Sequence, residues 1–185
     1  MEQERQYRRN IIVNAAKWFF INDGYEKTMI DKIALRAGYS KATIYNYFES
    51  KEDLFIAVVS IAYKKLYQVM KETLDQSEGD KDLKTMGRAY LTFIDKYPDY
   101  SGLLDFSRLG LIIKRITEKE VTGRLLTESE KEFRYHQLRI QDLMVQVITK
   151  TMEKAGLKTE IDPLTIIVAI SALGLSIRDL IMRGK

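Results

Sequence analysis

Apolar side chains recur at helical spacing along nearly the whole chain. Between residues 4 and 22, isoleucine, alanine and phenylalanine recur at positions i, i+4 and i+8, the pattern of an amphipathic helix. A second pattern of this kind begins at Ser50 and continues to about Leu74, which predicts one long connecting helix. No segment alternates in the manner of a β-strand. The sequence therefore predicts an all-α fold, with further helices at about residues 83–96, 100–109, 127–155 and 163–182.

Two short helices with a tight turn are predicted before the long helix. Thr28 and Asp31 have the spacing of a helix-capping pair, and they predict a helix from Met29 to Ala37. Gly38 follows, where glycine tolerates the left-handed conformation that ends a helix. Ser40 can cap the next helix, which extends to Tyr47.

This arrangement has the form of a helix-turn-helix, in which the second helix enters the major groove of DNA. Small and branched apolar residues let the two helices cross closely: Ile33, Ala34, Ala37, Ile44 and Phe48. The polar side chains of the second helix are left for contact with DNA. The prediction is an N-terminal DNA-binding domain over residues 1–49, followed by a helical effector-binding and dimerisation domain over residues 50–185. The polar segment SEGDKD, residues 77–82, is a linker candidate but not a domain boundary.

The same residues carry a family resemblance. The run IDKIALRAGYSKATIYNYFESKEDL, preceded by AAKWFFINDGYEKT, resembles the N-terminal domain of TetR-family regulators over about residues 11–54. The resemblance implies a repressor that binds a near-palindromic operator in duplex DNA. In this family a C-terminal domain binds a small molecule and releases the DNA, but the resemblance does not identify the ligand.

The resemblance also implies which residues contact DNA. Lys41 and Asn46 are suited to base edges, and Ala42 to a thymine methyl group. Tyr45 either packs against its own domain or touches DNA. Met29 and Asp31 depart from the family pattern, and Asp31 is expected to cap a helix. The implied DNA-binding residues are Thr28, Lys41, Ala42, Thr43, Tyr45, Asn46, Tyr47 and Lys51, of which Thr28, Thr43, Tyr47 and Lys51 suit phosphate contacts.

Composition and charge agree with an intracellular DNA-binding protein. The net charge is +4, and the first 51 residues carry nine Lys or Arg against six Asp or Glu. There is no cysteine, and the charged N-terminal segment lacks the apolar core of a signal peptide. The most apolar stretch, residues 164–177, is shorter than the ~20 residues that span a bilayer. We therefore expect a cytoplasmic protein with no membrane partner.

Aromatic and methionine residues are concentrated in the middle of the chain. Such residues usually form plain core, but in a TetR-like protein they can also line an effector cavity. The candidate ligand-binding residues are Tyr63, Tyr67, Met70, Tyr90, Phe93, Tyr97, Phe106 and Phe133.

The last two predicted helices favour a two-fold homodimer. The final helix is apolar on nearly all sides, so one face can meet its own domain while another meets a partner. The candidate dimer-interface residues are Leu143, Val147, Ile166, Ile170, Leu173 and Ile177.

Catalysis is not expected. His136 is the one histidine, it lies in a charged helical run, and no nucleophile motif accompanies it. No cofactor or metal is predicted. Two alternatives to a ligand-released repressor stay open: a constitutive architectural DNA-binding protein without an effector, and a helical module attached to an enzyme.

Overall fold

The computed structural model describes residues 1–77, 82–104, 106–156 and 165–166, and these are helical apart from short turns and connections. Apolar periodicity and local caps account for most of the helix boundaries. The helices are α1 (Glu2–Asn22), α2 (Gly24–Lys27), α3 (Ile30–Ala37), α4 (Lys41–Tyr47), α5 (Lys51–Gln76), α6 (Leu83–Lys96), α7 (Pro98–Ser101), α8 (Phe106–Val121) and α9 (Glu128–Lys154).

Helices α1, α3 and α4 form a small N-terminal unit. Ile12 and Ala16 of α1 are fully buried, and they belong to the same core as Ile33 of α3 and Ile44 of α4. Phe48, the C-cap residue of α4, is 1% exposed. Because each short helix contributes apolar anchors to this core, tertiary packing holds helices too short to be stable alone.

The capping prediction at Thr28 and Asp31 is wrong. Helix α3 begins at Ile30 with Met29 as its N-cap, and no side chain caps it. The Thr28 hydroxyl instead donates to the Gly24 carbonyl oxygen at 2.6 Å, and the Thr28 side chain is buried. The Asp31 carboxylate accepts from the Lys41 ammonium at 3.1 Å. Both polar groups are therefore bonded elsewhere, Thr28 within its own segment and Asp31 to the following helix.

Helix α5 connects the N-terminal unit to the rest of the chain. It packs against α1, α6 and α9. Its N-terminal half is buried continuously from Asp53 to Ser60. A helix buried on every side in this way lies at the centre of a domain rather than on its surface.

The C-terminal part differs from the predicted pattern between residues 100 and 121. The sequence predicts one helix over residues 100–109, but the short helix α7 begins at Pro98 and ends at Ser101, and α8 extends to Val121. The fully buried Ile112 and Ile116 anchor α8. The predicted start of α9 is confirmed, because Thr127 and Glu130 form a capping box there.

The helix predicted at residues 163–182 lies outside the described residues, apart from the helical residues 165 and 166. Among the helices that the structure describes, none is long and apolar enough to cross a membrane.

Candidate nucleic-acid interface

The turn between α3 and α4 depends on a left-handed glycine. Gly38 has φ 73° and ψ 29°, a conformation that a residue with a Cβ adopts only with strain. The Tyr39 N–H donates to the Ala34 carbonyl oxygen at 3.0 Å, which closes the end of α3. The Ser40 hydroxyl accepts from the Thr43 N–H at 3.1 Å, which starts α4. The predicted glycine stop and serine cap are both confirmed.

Helix α4 presents a polar face to solvent. Ile44 is 1% exposed and holds the inner side of the helix in the core. Lys41, Ala42, Tyr45 and Asn46 are exposed, and their spacing places them together on the outer side. Thr43 and Tyr47 flank this face and are half-buried, and Tyr47 packs against the core. The structure thus brings together six of the eight residues that the resemblance implies for DNA contact.

Lys41 is held in place by Asp31 of α3. Both side chains are more than half exposed, so the pair adds little to stability, about 0–1 kcal/mol. The pair nevertheless holds the Lys41 ammonium at the start of α4. Asp31 lies close enough to compete with a DNA acceptor for that ammonium.

Thr28 and Lys51 point inward instead. The Thr28 side chain is buried, so it is not available as the expected phosphate contact. The Lys51 ammonium donates to the carbonyl oxygens of Tyr25 at 3.0 Å and of Thr28 at 3.2 Å, and it lies 4.4 Å from the centre of the Tyr25 ring. Lys51 would have to release these carbonyls before it could bind a phosphate.

Arg5 is a candidate DNA-binding residue that the sequence reasoning missed. Its guanidinium lies 5.1 Å from the centre of the Tyr47 ring, which places a positive charge beside α4. The basic residues of the first ten positions were the available signal. Helical periodicity alone does not show that the start of α1 reaches α4.

The described candidate ligand residues lie around α5, α6 and α9. Tyr63 of α5 and Phe133 of α9 make an edge-to-face contact at 4.8 Å, and burial raises the pKa of the Tyr63 phenol. Phe93 and Phe133 are fully buried. The other members of this group in the same core are the buried Met70 and the half-buried Tyr67, Tyr90 and Tyr97. The side chain of Phe106 lies outside the described residues.

Arg139 of α9 contacts this aromatic group through Tyr67. Its guanidinium donates to the Tyr67 hydroxyl at 2.8 Å and to the Tyr135 hydroxyl at 3.2 Å. Burial lowers the pKa of the neighbouring His136, and the positive charges of Lys64 and Arg139 lower it further. Within the described part of the chain, no three His, Cys, Asp or Glu side chains are grouped as a metal site requires.

The candidate dimer residues are only partly described. Val147 is 3% exposed within a single chain, so it belongs to the chain's own core and is not available to a partner. Leu143 and Ile166 are half-buried. Ile170, Leu173 and Ile177 lie outside the described residues.

A left-handed glycine turn, a capped second helix and its exposed polar face define a helix-turn-helix protein. Residues 12–58 match the family model described as bacterial regulatory proteins, tetR family. Over its helix-turn-helix segment the chain is thus similar to the TetR family of transcriptional regulators. The resemblance seen in the sequence is confirmed, as is the all-α fold with an N-terminal helix-turn-helix and a C-terminal helical domain.

Individual relatives match parts of the chain. It is 32% identical over 127 residues to the HTH-type transcriptional activator FasR of Mycolicibacterium smegmatis, an alignment covering 68% of this chain and 55% of FasR. It is 32% identical over 82 residues to the fatty acid metabolism regulator protein of Bacillus subtilis, covering 44% of this chain and 42% of that protein. The chain thus spans about half the length of these relatives.

Solved structures share the fold over a longer range. The fatty acid degradation regulator FadR from Bacillus halodurans superposes with a TM-score of 0.65 at 17% identity, covering 96% of this chain and 85% of FadR. This similarity concerns the fold alone.

Proposed function

We propose that this chain is a repressor that binds a near-palindromic operator in duplex DNA and leaves it when a small apolar or aromatic molecule binds. The observation that carries the DNA-binding part is the outward face of α4, where Lys41, Ala42 and Asn46 are exposed on a helix anchored by Ile44 and Phe48. A lysine ammonium donates to the acceptors of guanine, an asparagine amide both donates to and accepts from adenine, and alanine fits a thymine methyl group in the major groove.

Selection of bound duplexes from a random pool tests this proposal. We expect one enriched sequence, with binding that weakens steeply as salt rises, because cations on the protein release counterions from the phosphates. Equal recovery of all sequences would contradict specific recognition.

The effector part of the proposal is supported by the aromatic group of α5, α6 and α9. Tyr63, Tyr67 and Tyr90 contribute polar hydroxyls to an otherwise apolar cluster that includes Phe93 and Phe133. Apolar walls with a few polar groups are typical of small-molecule sites. The name of the Bacillus subtilis relative, a fatty acid metabolism regulator, makes fatty acids a natural first probe.

Thermal melting with a panel of fatty acids and aromatic compounds tests the effector. A ligand at 100 times its Kd stabilises the native state by about 2.7 kcal/mol. By thermodynamic linkage, the same ligand must weaken DNA binding by the factor by which DNA weakens ligand binding. A panel without any stabilising compound, together with unchanged DNA binding, would favour the constitutive architectural protein.

We further propose that the chain acts as a homodimer, with residues 1–49 as its DNA-binding domain and residues 50–185 as its effector and dimerisation domain. The half-buried Leu143 and Ile166 are compatible with a partner helix, whereas Val147 is not. A dimer would place two recognition helices about 34–36 Å apart, one helical turn of DNA. Light scattering that shows a monomer at micromolar concentration would contradict this part.

A further inference from the structure

A buried arginine joins α1 to the start of α9. The Arg9 side chain is 5% exposed, and its guanidinium lies 3.0 Å from the Glu132 carboxylate. The same group donates to the Ser129 hydroxyl at 3.3 Å and lies 3.5 Å from the Glu128 carboxylate. All three partners belong to the first two turns of α9. Withdrawing α9 would leave a buried cation without its partners, which is strongly unfavourable.

The other side of Arg9 faces the recognition helix. Its guanidinium carbon lies 5.3 Å from the centre of the Phe48 ring. Phe48 is the C-cap of α4 and is almost fully buried. One side chain of α1 therefore contacts both the end of the recognition helix and the start of a helix from the C-terminal part of the chain.

A second set of contacts joins the start of α9 to α5 near the end of α4. The Thr127 hydroxyl, at the N-cap of α9, donates to the Asp53 carboxylate of α5 at 2.6 Å. The other oxygen of Asp53 accepts from the Glu49 N–H at 3.0 Å, next to Phe48. Arg115 of α8 pairs with Glu52 of α5 and also lies 3.2 Å from the Glu130 carboxylate of α9. The start of α9 is therefore tied to the chain on both sides of the end of α4.

We propose that Arg9 is a positioning residue that couples α9 to the recognition helix, so that a displacement of the start of α9 changes the orientation of α4. This inference rests on the proposed DNA-binding function. A displacement in the C-terminal part of the chain would then reach α4 through α1, in addition to any movement of the connecting helix α5. The Arg9 side chain is buried while the Glu128 and Glu132 side chains are 50% and 39% exposed, so separation of the two helices removes the ion pairs of a buried cation and is opposed by that loss.

A double-mutant cycle tests the coupling. Arg9→Met, Glu132→Gln and the double variant are compared for affinity toward a duplex selected by the unaltered chain, at fixed salt and well below every melting temperature. We expect Glu132→Gln to weaken binding about five- to tenfold, although it removes a negative charge. The double variant should bind much more tightly than the product of the single effects predicts. Because the Arg9 side chain is only 5% exposed and is paired with a carboxylate, we expect Arg9→Met to leave the salt dependence of binding unchanged.

The pair Arg134 and Glu120 supplies the matched control. It joins α9 to α8 at 2.8 Å, and neither side chain forms a hydrogen bond or an ion pair with α1 in the described structure. Arg134→Met and Glu120→Gln should change DNA affinity less than about twofold, with effects that multiply. If Arg9→Met does not fold, the test uses Glu132→Gln and Arg9→Lys. Arg9→Lys keeps the positive charge, so we expect it to retain part of the DNA affinity.

Two results would overturn the inference. In one, Glu132→Gln binds DNA as tightly as the unaltered chain or more tightly, as loss of a negative charge alone would produce. In the other, Arg9 and Glu132 couple in melting temperature but not in DNA affinity, which is what a purely structural ion pair would show. Failure of the unaltered chain to bind any duplex would instead refute the proposed function, and this inference with it.

Discussion

Replacement of Lys51 by methionine should destabilise the protein without changing how its DNA binding depends on salt. The Lys51 ammonium donates to the Tyr25 and Thr28 carbonyl oxygens at the end of α2, so it ties the start of α5 to the segment before α3. Methionine keeps the apolar stem and removes the charge. The Tyr25 carbonyl oxygen would keep its bond from the Thr28 N–H at 3.3 Å, whereas the Thr28 carbonyl oxygen would lose the Lys51 donor and need water in its place.

The size of the effect follows from these contacts. A hydrogen bond to a charged group contributes about 1.5–3 kcal/mol. Lys51 is half-buried, so water replaces part of the loss, and we expect a total cost of about 2 kcal/mol. For a chain of 185 residues, 1 kcal/mol corresponds to about 2–4 °C in Tm, so the variant should melt about 4–8 °C lower.

Differential scanning calorimetry and a salt series of DNA-binding affinities check this prediction. Lys41→Met is the control, since its exposed pair with Asp31 contributes about 1 kcal/mol or less. A Lys51→Met variant with an unchanged Tm and a salt slope reduced by about 0.9 would refute the reasoning. That result would make Lys51 the phosphate contact that the family resemblance implies.

Three further predictions concern the interface and its support. Asn46→Ala should relax preference at one base position at a cost of about 1–3 kcal/mol, measured by binding to single-base operator variants. Gly38→Ala should lower the free energy of unfolding by about 1–2 kcal/mol, measured by urea titration, because φ is +73° there. Burial tends to raise the pKa of Glu130, but hydrogen bonds from Lys119 and Thr127 and the positive charges nearby hold it below its ordinary value. This carboxylate therefore stabilises the fold above the unfolded-state pKa, and the contribution is lost as pH falls through the folded-state pKa. Glu130→Gln should flatten the loss of Tm below about pH 5, as pH falls from the unfolded-state pKa through the folded-state pKa.

The local parts of the interface could be predicted from the sequence. The Gly38 stop, the Ser40 cap and the buried Ile44 each depend on neighbours within a few residues, and the structure places all three as expected. Short-range hydrogen bonds and helical spacing are sufficient for such features.

The sequence pattern was insufficient where another acceptor in the fold competes for a polar group. Thr28 matched a capping pattern, but it is buried and bonds to Gly24 instead. Lys51 matched a phosphate contact, but carbonyls more than twenty residues earlier take its ammonium. The partner of Arg9 lies 123 residues away, so no local pattern could reveal it. The sequence shows which side chains can donate hydrogen bonds, but the acceptor that each of them contacts depends on the fold.

The central claim is that the exposed face of α4 reads a DNA sequence. The most direct test is to select duplexes from a random pool with the unaltered chain and to repeat the selection with Asn46→Ala. The account predicts one enriched motif made of two related half-sites whose centres lie about 10 base pairs apart, with reduced preference at one position of each half-site for Asn46→Ala. No enrichment with the unaltered chain, or an identical motif from both proteins, would contradict the assignment of this face to base recognition.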